Sequence, residues 1–174
     1  PPGRKPIQTS CLPLSGKDKL IERMLVATKQ GSKVYWICPL IEESENLDLN
    51  AVMETYEDLS EYFSQEKVGC LHGKLSANKK QEQIQAFKDS KTSILVSTTV
   101  VEVGVDIPDA DIMVIENAER FGLAQLHQLR GRIGRGTKES FCILLHKDKI
   151  QDISSQRLQV LVSSQDGFKI AEED

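Results

Sequence analysis

Short apolar runs rich in β-branched residues alternate along this chain with longer segments of helical periodicity, and this alternation constrains the fold more than any other feature. The runs of strand length are Ile7–Leu12, Val34–Cys38, Lys67–Leu71, Ser93–Ser97, Asp111–Ile115 and Ser140–Leu145. Amphipathic spacing predicts helices over Lys17–Lys29 and Ala51–Phe63, and a third that Ser76 caps and that runs to Lys88. Such alternation implies βαβ crossovers, and therefore a mostly parallel sheet with helices on both faces. The 174 residues suffice for one such α/β domain.

Taken alone, the formal net charge of −4 argues against a nucleic-acid partner. The charge is unevenly distributed, however. Glu42–Glu61 carries eight acidic residues and no Lys or Arg, which is typical of a solvated helix face. Arg120–Lys138 carries five basic residues and no acid, and Lys67–Lys91 carries six lysines against two acids. Both basic segments adjoin predicted strand-end loops, where parallel α/β sheets bind ligands, so the net charge does not exclude nucleic acid.

The sharpest local feature is QLRGRIGRG, residues 128–136. Its arginines present rigid forks of donors suited to phosphate oxygens, and its glycines let the backbone approach a polyphosphate. The dinucleotide-binding pattern fails because Glu139 stands where its third glycine is needed, and neither Gly69–Ser76 nor Ser15–Lys19 fits a P-loop. The chain thus has arginines suited to a nucleoside triphosphate but no loop of its own for the phosphates and the metal. An arginine finger supplied to a site on another domain would explain this combination.

A second feature is the segment Ser97–Asp111, which follows a predicted strand. The hydroxyl of Thr98 can donate to a phosphate oxygen, and Asp106, in a turn with Gly104, could accept a hydrogen bond from a ribose hydroxyl. A plain turn between two strands explains this segment equally well. The four cysteines lack the clustered spacing of a zinc site, so we expect reduced thiols and no metal site in this chain.

In chain order, these segments resemble the motifs of the second RecA-like lobe of superfamily 2 helicases. VYWICPLIEESE (34–45) resembles motif IV, LHGKLS (71–76) the next nucleic-acid loop, TTVVEVGVDIPDAD (98–111) motif V, and RFGLAQLHQLRGRIGRG (120–136) motif VI. The segment DGFKIAEED (166–174) is similar to the stretch after the motor lobe of RecG-type ATP-dependent DNA helicases. The resemblance covers nearly the whole chain and is most specific from motif V to motif VI.

The resemblance implies a role for each residue that matches a motif. It implies that Arg132 and Arg135 are the catalytic arginines, which reach the γ-phosphate of ATP. To the ATP cleft it assigns Gln128, Gly104 and Asp106. To contacts with the DNA backbone, several of them through their own backbone, it assigns Thr98, Pro39, His72 and Gly73.

The resemblance also implies the organisation of the whole protein. Residues 1–150 would form a RecA-like lobe that is P-loop NTPase-like without a P-loop, and residues 151–174 would begin the post-motor segment. ATP and Mg²⁺ would be held mainly by an N-terminal motor lobe of the same chain, and cycles of closure would remodel branched DNA such as stalled forks and Holliday junctions. We expect a monomeric protein of the bacterial cytoplasm with no membrane-spanning segment, and an inactive isolated lobe. The motor lobe of a transcription-repair coupling factor and a non-catalytic α/β binding module remain alternatives.

Overall fold

The computed structural model describes residues 7–38, 45–64, 67–98, 110–133, 139–149 and 152–163. The strands in these residues are β1 (Ile7–Pro13), β2 (Val34–Cys38), β3 (Val68–Cys70), β4 (Ile94–Thr98), β5 (Ile112–Ile115) and β6 (Ser140–His146). They form one sheet in the order β1-β6-β5-β2-β4-β3, and each neighbouring pair is parallel. The predicted parallel α/β sheet is therefore confirmed, and the carboxyl ends of its strands lie along one edge.

Helices cover both faces of this sheet. The described residues contain α1 (Lys17–Lys29), α2 (Glu45–Ser60), α3 (Ala77–Lys88), α4 (Leu123–Arg130) and α5 (Asp152–Ser163). Apolar side chains of α1 and α2 share one core cluster with one face of the sheet. Those of α3, α4 and α5 share a second cluster with the opposite face.

The central strand β2 shows how the two layers divide the sequence. Val34, Trp36 and Cys38 pack in the cluster of α1 and α2, whereas Tyr35 and Ile37 pack in the other cluster. All five side chains are fully buried. Because both faces are covered, the strand is a continuous apolar run instead of an alternating one.

Two helices have the termini that the sequence predicts. Helix α1 is followed by Gly31 with φ of 99°, a left-handed conformation that glycine adopts without a Cβ clash. The Ser32 N–H donates to the Ala27 carbonyl at 3.0 Å, which satisfies one of the last carbonyls of the helix. Helix α3 begins after Ser76, whose Oγ accepts the Lys79 N–H at 3.2 Å as an N-cap.

The predicted bounds of α2 are wrong at both ends. The helix begins at Glu45, before the predicted Ala51, and ends at Ser60, before the predicted Phe63. The prediction followed apolar spacing, which starts only near Val52, whereas acidic residues are themselves favourable in the first turns of a helix. Phe63 is nevertheless buried, since its N–H donates to the Leu59 carbonyl at 2.9 Å in a turn that continues the helix.

Helix α5 lies in the segment predicted to follow the motor lobe. Its Leu158 and Leu161 are buried in the same core cluster as the leucines of α4. The described part of that segment therefore packs on the lobe, and the boundary at residue 150 stays a prediction.

The acidic face of α2 points to solvent, as the run of acidic residues predicts. This holds for the acids whose exposure the structure describes. The exposed acids of this surface are Glu54, Glu57, Asp58 and Glu61. In the described ranges, no helix combines the length and apolar character needed to cross a membrane.

Candidate functional site

At the carboxyl edge of the sheet, the connections that follow two neighbouring strands run to opposite faces. Helix α2 follows β2 on one face, and α4 follows β5 on the other. The two strands are neighbours, and the N–H of Glu116, just after β5, donates to the Ile37 carbonyl of β2 at 2.9 Å. In open α/β sheets the crevice at such a switch point is the usual ligand site. A ligand site of this kind would have the end of β2 and the residue after β5 at its centre.

At the end of β4 the structure describes the predicted residue Thr98. Thr98 ends β4 and is the register partner of Cys38. Its side chain is fully buried, so contact between its hydroxyl and DNA would require this strand end to become exposed. Its assignment to DNA stays a prediction. Three further predicted residues lie outside the described residues: Pro39, Gly104 and Asp106.

The turn between β3 and α3 holds two more of the predicted residues. Leu71 anchors the turn, since it is buried and its N–H donates to the Val96 carbonyl of β4 at 2.7 Å. His72 and Gly73 follow and are half-buried. The Nδ1 of His72 accepts the N–H of Lys74 at 3.3 Å, and this contact orders the turn. Because β3 and β4 are parallel neighbours, this turn and Thr98 lie on the same edge of the sheet.

Helix α4 presents Gln128 and ends within the arginine segment, which we define as residues 128–136. Gln128 is exposed, whereas the core side of the helix is buried through Leu123, Leu126 and Leu129. Arg132 follows the helix end and is half-buried, and its N–H donates to the Leu129 carbonyl at 3.0 Å. The next residue, Ile133, is fully buried. Arg132 thus projects from a backbone that is fixed on both sides.

The structure brings some of the predicted nucleotide-binding residues together. Gln128 and Arg132 lie at the same end of α4, one helical turn apart in sequence. Arg135 lies outside the described residues. Arginine and glutamine side chains offer donors for phosphate oxygens, so this end of α4 suits an anionic ligand.

The switch point carries an ion pair that sequence reasoning missed. Lys17, at the start of α1, places its Nζ 2.6 Å from Oε1 of Glu116 and 3.3 Å from Oδ2 of Asp58. The same ammonium lies 5.8 Å from the centroid of the Trp36 ring. Burial lowers the pKa of Lys17, but the two carboxylates raise it further, so that its pKa lies above the ordinary value.

Hydrogen bonds extend this cluster to the end of β2. The buried Thr55 hydroxyl donates to Glu116 Oε2 at 3.5 Å and accepts from Cys38 Sγ at 3.2 Å. Burial raises the pKa of the Cys38 thiol well above its usual value. The sequence signals for this cluster are the position of Glu116 directly after a strand and the Gly16-Lys17 pair before α1.

Arg130 takes a different position from the other arginine that the structure describes in this segment. It is buried, and its guanidinium donates to Thr9 of β1 and to the Leu161 carbonyl of α5. The phosphate chemistry that the sequence suggested for the whole arginine segment therefore does not extend to Arg130. Nothing in the local sequence distinguishes it from Arg132.

Metal-ligating side chains do not cluster in the part of the chain that the structure describes. Within the described ranges, no group of three or more His, Cys, Asp or Glu side chains converges as a metal site would require. Burial also raises the pKa of the Cys11 and Cys70 thiols to about 11 and that of Cys142 to about 12. These thiols are therefore protonated at neutral pH and are poor metal ligands and nucleophiles.

Known proteins share the sequence pattern and the fold of this chain. Residues 16–137 match the family of helicase conserved C-terminal domains. Over its whole length the chain is 51% identical to the ATP-dependent DNA helicase RecG of Synechocystis sp., of which it spans 21%. It is also similar to the RecG chain in the structure of RecG bound to a three-way DNA junction, with a TM-score of 0.80 and 43% identity over 99% of this chain and 22% of that chain.

A more distant protein has the same fold. The yeast DEAD-box splicing factor Prp28 has a TM-score of 0.69 at 19% identity, over 98% of this chain and 37% of that chain. Together with the RecG structure, this similarity confirms the predicted fold of a RecA-like helicase lobe. The chain spans about a fifth to a quarter of the length of the RecG proteins it matches.

Proposed function

Because this chain belongs to the family of helicase conserved C-terminal domains, we propose that it is the second motor lobe of a RecG-type ATP-dependent DNA helicase. The observation that carries this proposal is the similarity to a RecG helicase over the whole chain, at 51% identity. The related RecG structure contains a three-way DNA junction, which supports branched DNA as the substrate. The whole protein would use ATP to remodel junctions such as stalled forks and Holliday junctions in repair and recombination.

In this proposal the end of α4 completes an ATP site that begins on another lobe. An N-terminal motor lobe of the same chain would hold ATP and Mg²⁺, and ATP would supply the phosphoryl group that is transferred to water. Closure would bring Arg132 and Arg135 to the γ-phosphate, with Gln128 beside them and Gly104 and Asp106 lining the cleft. The arginines would stabilise negative charge that develops on the transferred group. The fixed backbone on both sides of Arg132 supports this role, since a preorganised donor needs little rearrangement during the reaction.

The DNA contacts in this proposal lie on the sheet edge formed by β3 and β4. The ordered turn at His72 and Gly73 would face the phosphodiester backbone, together with Thr98 and Pro39. Exposed lysines close to this turn, Lys74 and Lys79, add positive charge that favours a phosphate backbone. Closure and opening of the two lobes would then move these contacts along one strand.

The proposal includes the organisation of the whole protein. Residues 1–150 would form the lobe and residues 151–174 the start of the post-motor segment. The protein would act as a monomer in the bacterial cytoplasm.

DNA-stimulated ATP hydrolysis by the full-length protein tests the proposal. We expect the wild-type protein to hydrolyse ATP and to unwind a three-way junction, and Arg132→Ala to slow hydrolysis by roughly 10³- to 10⁵-fold. Arg23→Ala, which removes an exposed arginine of α1, is the matched control and should behave as wild type. The isolated 174 residues should hydrolyse no ATP. Normal turnover by Arg132→Ala, or hydrolysis by the isolated lobe, would contradict the proposal, and a wild-type protein without any ATPase activity would favour a binding module.

A further inference from the structure

The guanidinium of Arg130 lies inside the lobe, although Arg130 belongs to the arginine segment. The residue is 3% exposed. Its Nη1 donates to the Leu161 carbonyl at 2.8 Å and to Thr9 Oγ1 at 3.1 Å, and its Nη2 lies 3.4 Å from His127 Nδ1. One side chain therefore joins the last turn of α4 to β1 and to α5, which are far from it in sequence.

The Leu161 carbonyl explains why a buried arginine is stable here. Leu161 lies in the last turn of the described part of α5, and its carbonyl accepts a hydrogen bond from the guanidinium. A cation at this position also interacts favourably with the negative, C-terminal end of the helix dipole. Burial lowers the pKa of Arg130, but arginine stays protonated at any physiological pH.

The Thr9 hydroxyl supplies a second fixed acceptor. Thr9 lies in the middle of β1, where it is the register partner of Cys142 in β6. Its strand neighbours Ile7 and Cys11 pack against the cluster of α4 and α5, so Thr9 faces the same layer. The guanidinium is thus tied both to the sheet and to a neighbouring helix.

We propose that Arg130 is a positioning residue that fixes the end of α4 against β1 and α5, and thereby sets where Arg132 stands. This inference rests on the proposed function. Helix α4 has 8 residues, and helices this short do not hold their geometry without tertiary contacts. Only Gly131 separates Arg130 from Arg132, so a shift of the last turn moves Arg132 with it. A misplacement of about 1 Å at a reacting group can slow a reaction by about 10²-fold.

Three substitutions in the full-length protein separate positioning from phosphate binding. Arg130→Met keeps the length and apolar stem of the side chain but removes every donor. Arg130→Lys keeps the charge but can satisfy fewer acceptors, and Thr9→Val removes only the bond to the sheet. Arg23→Met, on the exposed face of α1, is the control. Steady-state ATP hydrolysis with saturating DNA is measured well below the unfolding midpoint of each variant.

We expect Arg130→Met to lower kcat by about 10²-fold while the KM for ATP stays within about twofold of wild type. The kcat of Arg130→Lys should lie between that of Arg130→Met and that of wild type. Thr9→Val should lower kcat by less, and the control should leave kcat unchanged. A wild-type kcat in folded Arg130→Met would overturn the inference, as would a loss that appears as a raised KM, which is the sign of a direct phosphate contact. If Arg130→Met does not fold, the kcat values of Arg130→Lys and Thr9→Val test the inference. A normal kcat in both variants would overturn it.

Hydrogen exchange provides a readout that does not depend on activity. The N–H groups of Gly131 and Arg132 donate to the carbonyls of His127 and Leu129, each at 3.0 Å. Loss of the tether should accelerate the exchange of these two amides in Arg130→Lys and leave amides in the middle of α1 unchanged. Unchanged exchange at both would overturn the inference. If the wild type hydrolyses ATP and Arg132→Ala does not, a failure here concerns Arg130 alone, whereas an inactive wild type would show that the proposed function has failed.

Discussion

Removal of the Glu116 carboxylate tests the ion pair at the switch point. Its Oε1 lies 2.6 Å from Lys17 Nζ, and the two side chains are 8% and 21% exposed. Two unit charges at this separation attract by about 6 kcal/mol at an effective dielectric constant of about 20. Lys17 keeps Asp58 as a partner at 3.3 Å and keeps some contact with water, so part of this energy survives. We therefore expect Glu116→Gln to lower the free energy of unfolding by about 2–3 kcal/mol, somewhat less than the loss of one partner of a fully buried pair.

Urea unfolding of the 174-residue chain, followed by circular dichroism, measures this loss. With a slope of about 2 kcal/mol per molar urea, the midpoint should fall by about 1–1.5 M. Asp58→Asn is the matched control, because Asp58 is 57% exposed and its contact with the same ammonium should contribute less than about 1 kcal/mol. In a double-mutant cycle with Lys17→Met, the second substitution should recover part of the loss. A loss no larger than that of Asp58→Asn, or strictly additive single losses, would refute the electrostatic argument.

The pH dependence of this effect has a definite sign. The pKa of Lys17 is above its ordinary value in the folded protein, because the two carboxylates outweigh burial. A raised pKa stabilises the folded state below the ordinary lysine pKa of about 10.5, and this contribution is lost as the pH rises through the raised value. The difference between wild type and Glu116→Gln should therefore be constant from about pH 7 to about pH 10 and shrink only above that range.

Two local predictions complete the set. Ser76→Ala removes the acceptor of the Lys79 N–H and should lower the free energy of unfolding by about 1 kcal/mol. Ser76→Asn should retain most of the cap. Equal losses for the two variants in urea unfolding would contradict the capping role. Burial raises the pKa of Cys11 to about 11. At pH 7.5 a disulfide reagent should therefore label Cys11 of the folded protein about 100-fold more slowly than a free thiol, with a rate that rises about tenfold per pH unit. Fast labelling at neutral pH would show that the thiol is not buried in this way.

The sheet could be predicted because its strands are buried on both faces. A strand such as Val34–Cys38, apolar at every position, leaves few alternatives once helices flank it on either side. Helix bounds were predictable where a local signal exists, as for the Ser76 cap. The start of α2 was not, since its first turns lack the apolar spacing on which the prediction relied.

Sequence reasoning was weakest where one residue type serves two purposes. Arg130 and Arg132 are two positions apart among the same glycines, and both are rich in donors. Only the fold decides that Arg130 meets the Leu161 carbonyl while Arg132 stays half-exposed. The Lys17–Glu116 pair was missed for a related reason, since parallel topology, not local sequence, places the start of α1 beside the end of β5.

The electrostatics of the switch point bear on why this lobe would complete an ATP site without holding one. The crevice between β2 and β5 is the position where an open α/β sheet would ordinarily bind a ligand. Here Lys17 reaches into it, and its ammonium is neutralised by Glu116 and Asp58. A lysine paired with two carboxylates presents no net positive charge to a phosphate, and a nucleotide phosphate would also meet the Glu116 carboxylate. The predicted nucleotide-binding residues that the structure describes, Gln128 and Arg132, lie at the end of α4 instead. A lobe with its own crevice closed by internal charge, and with its arginines placed elsewhere, is suited to a phosphate that another lobe holds.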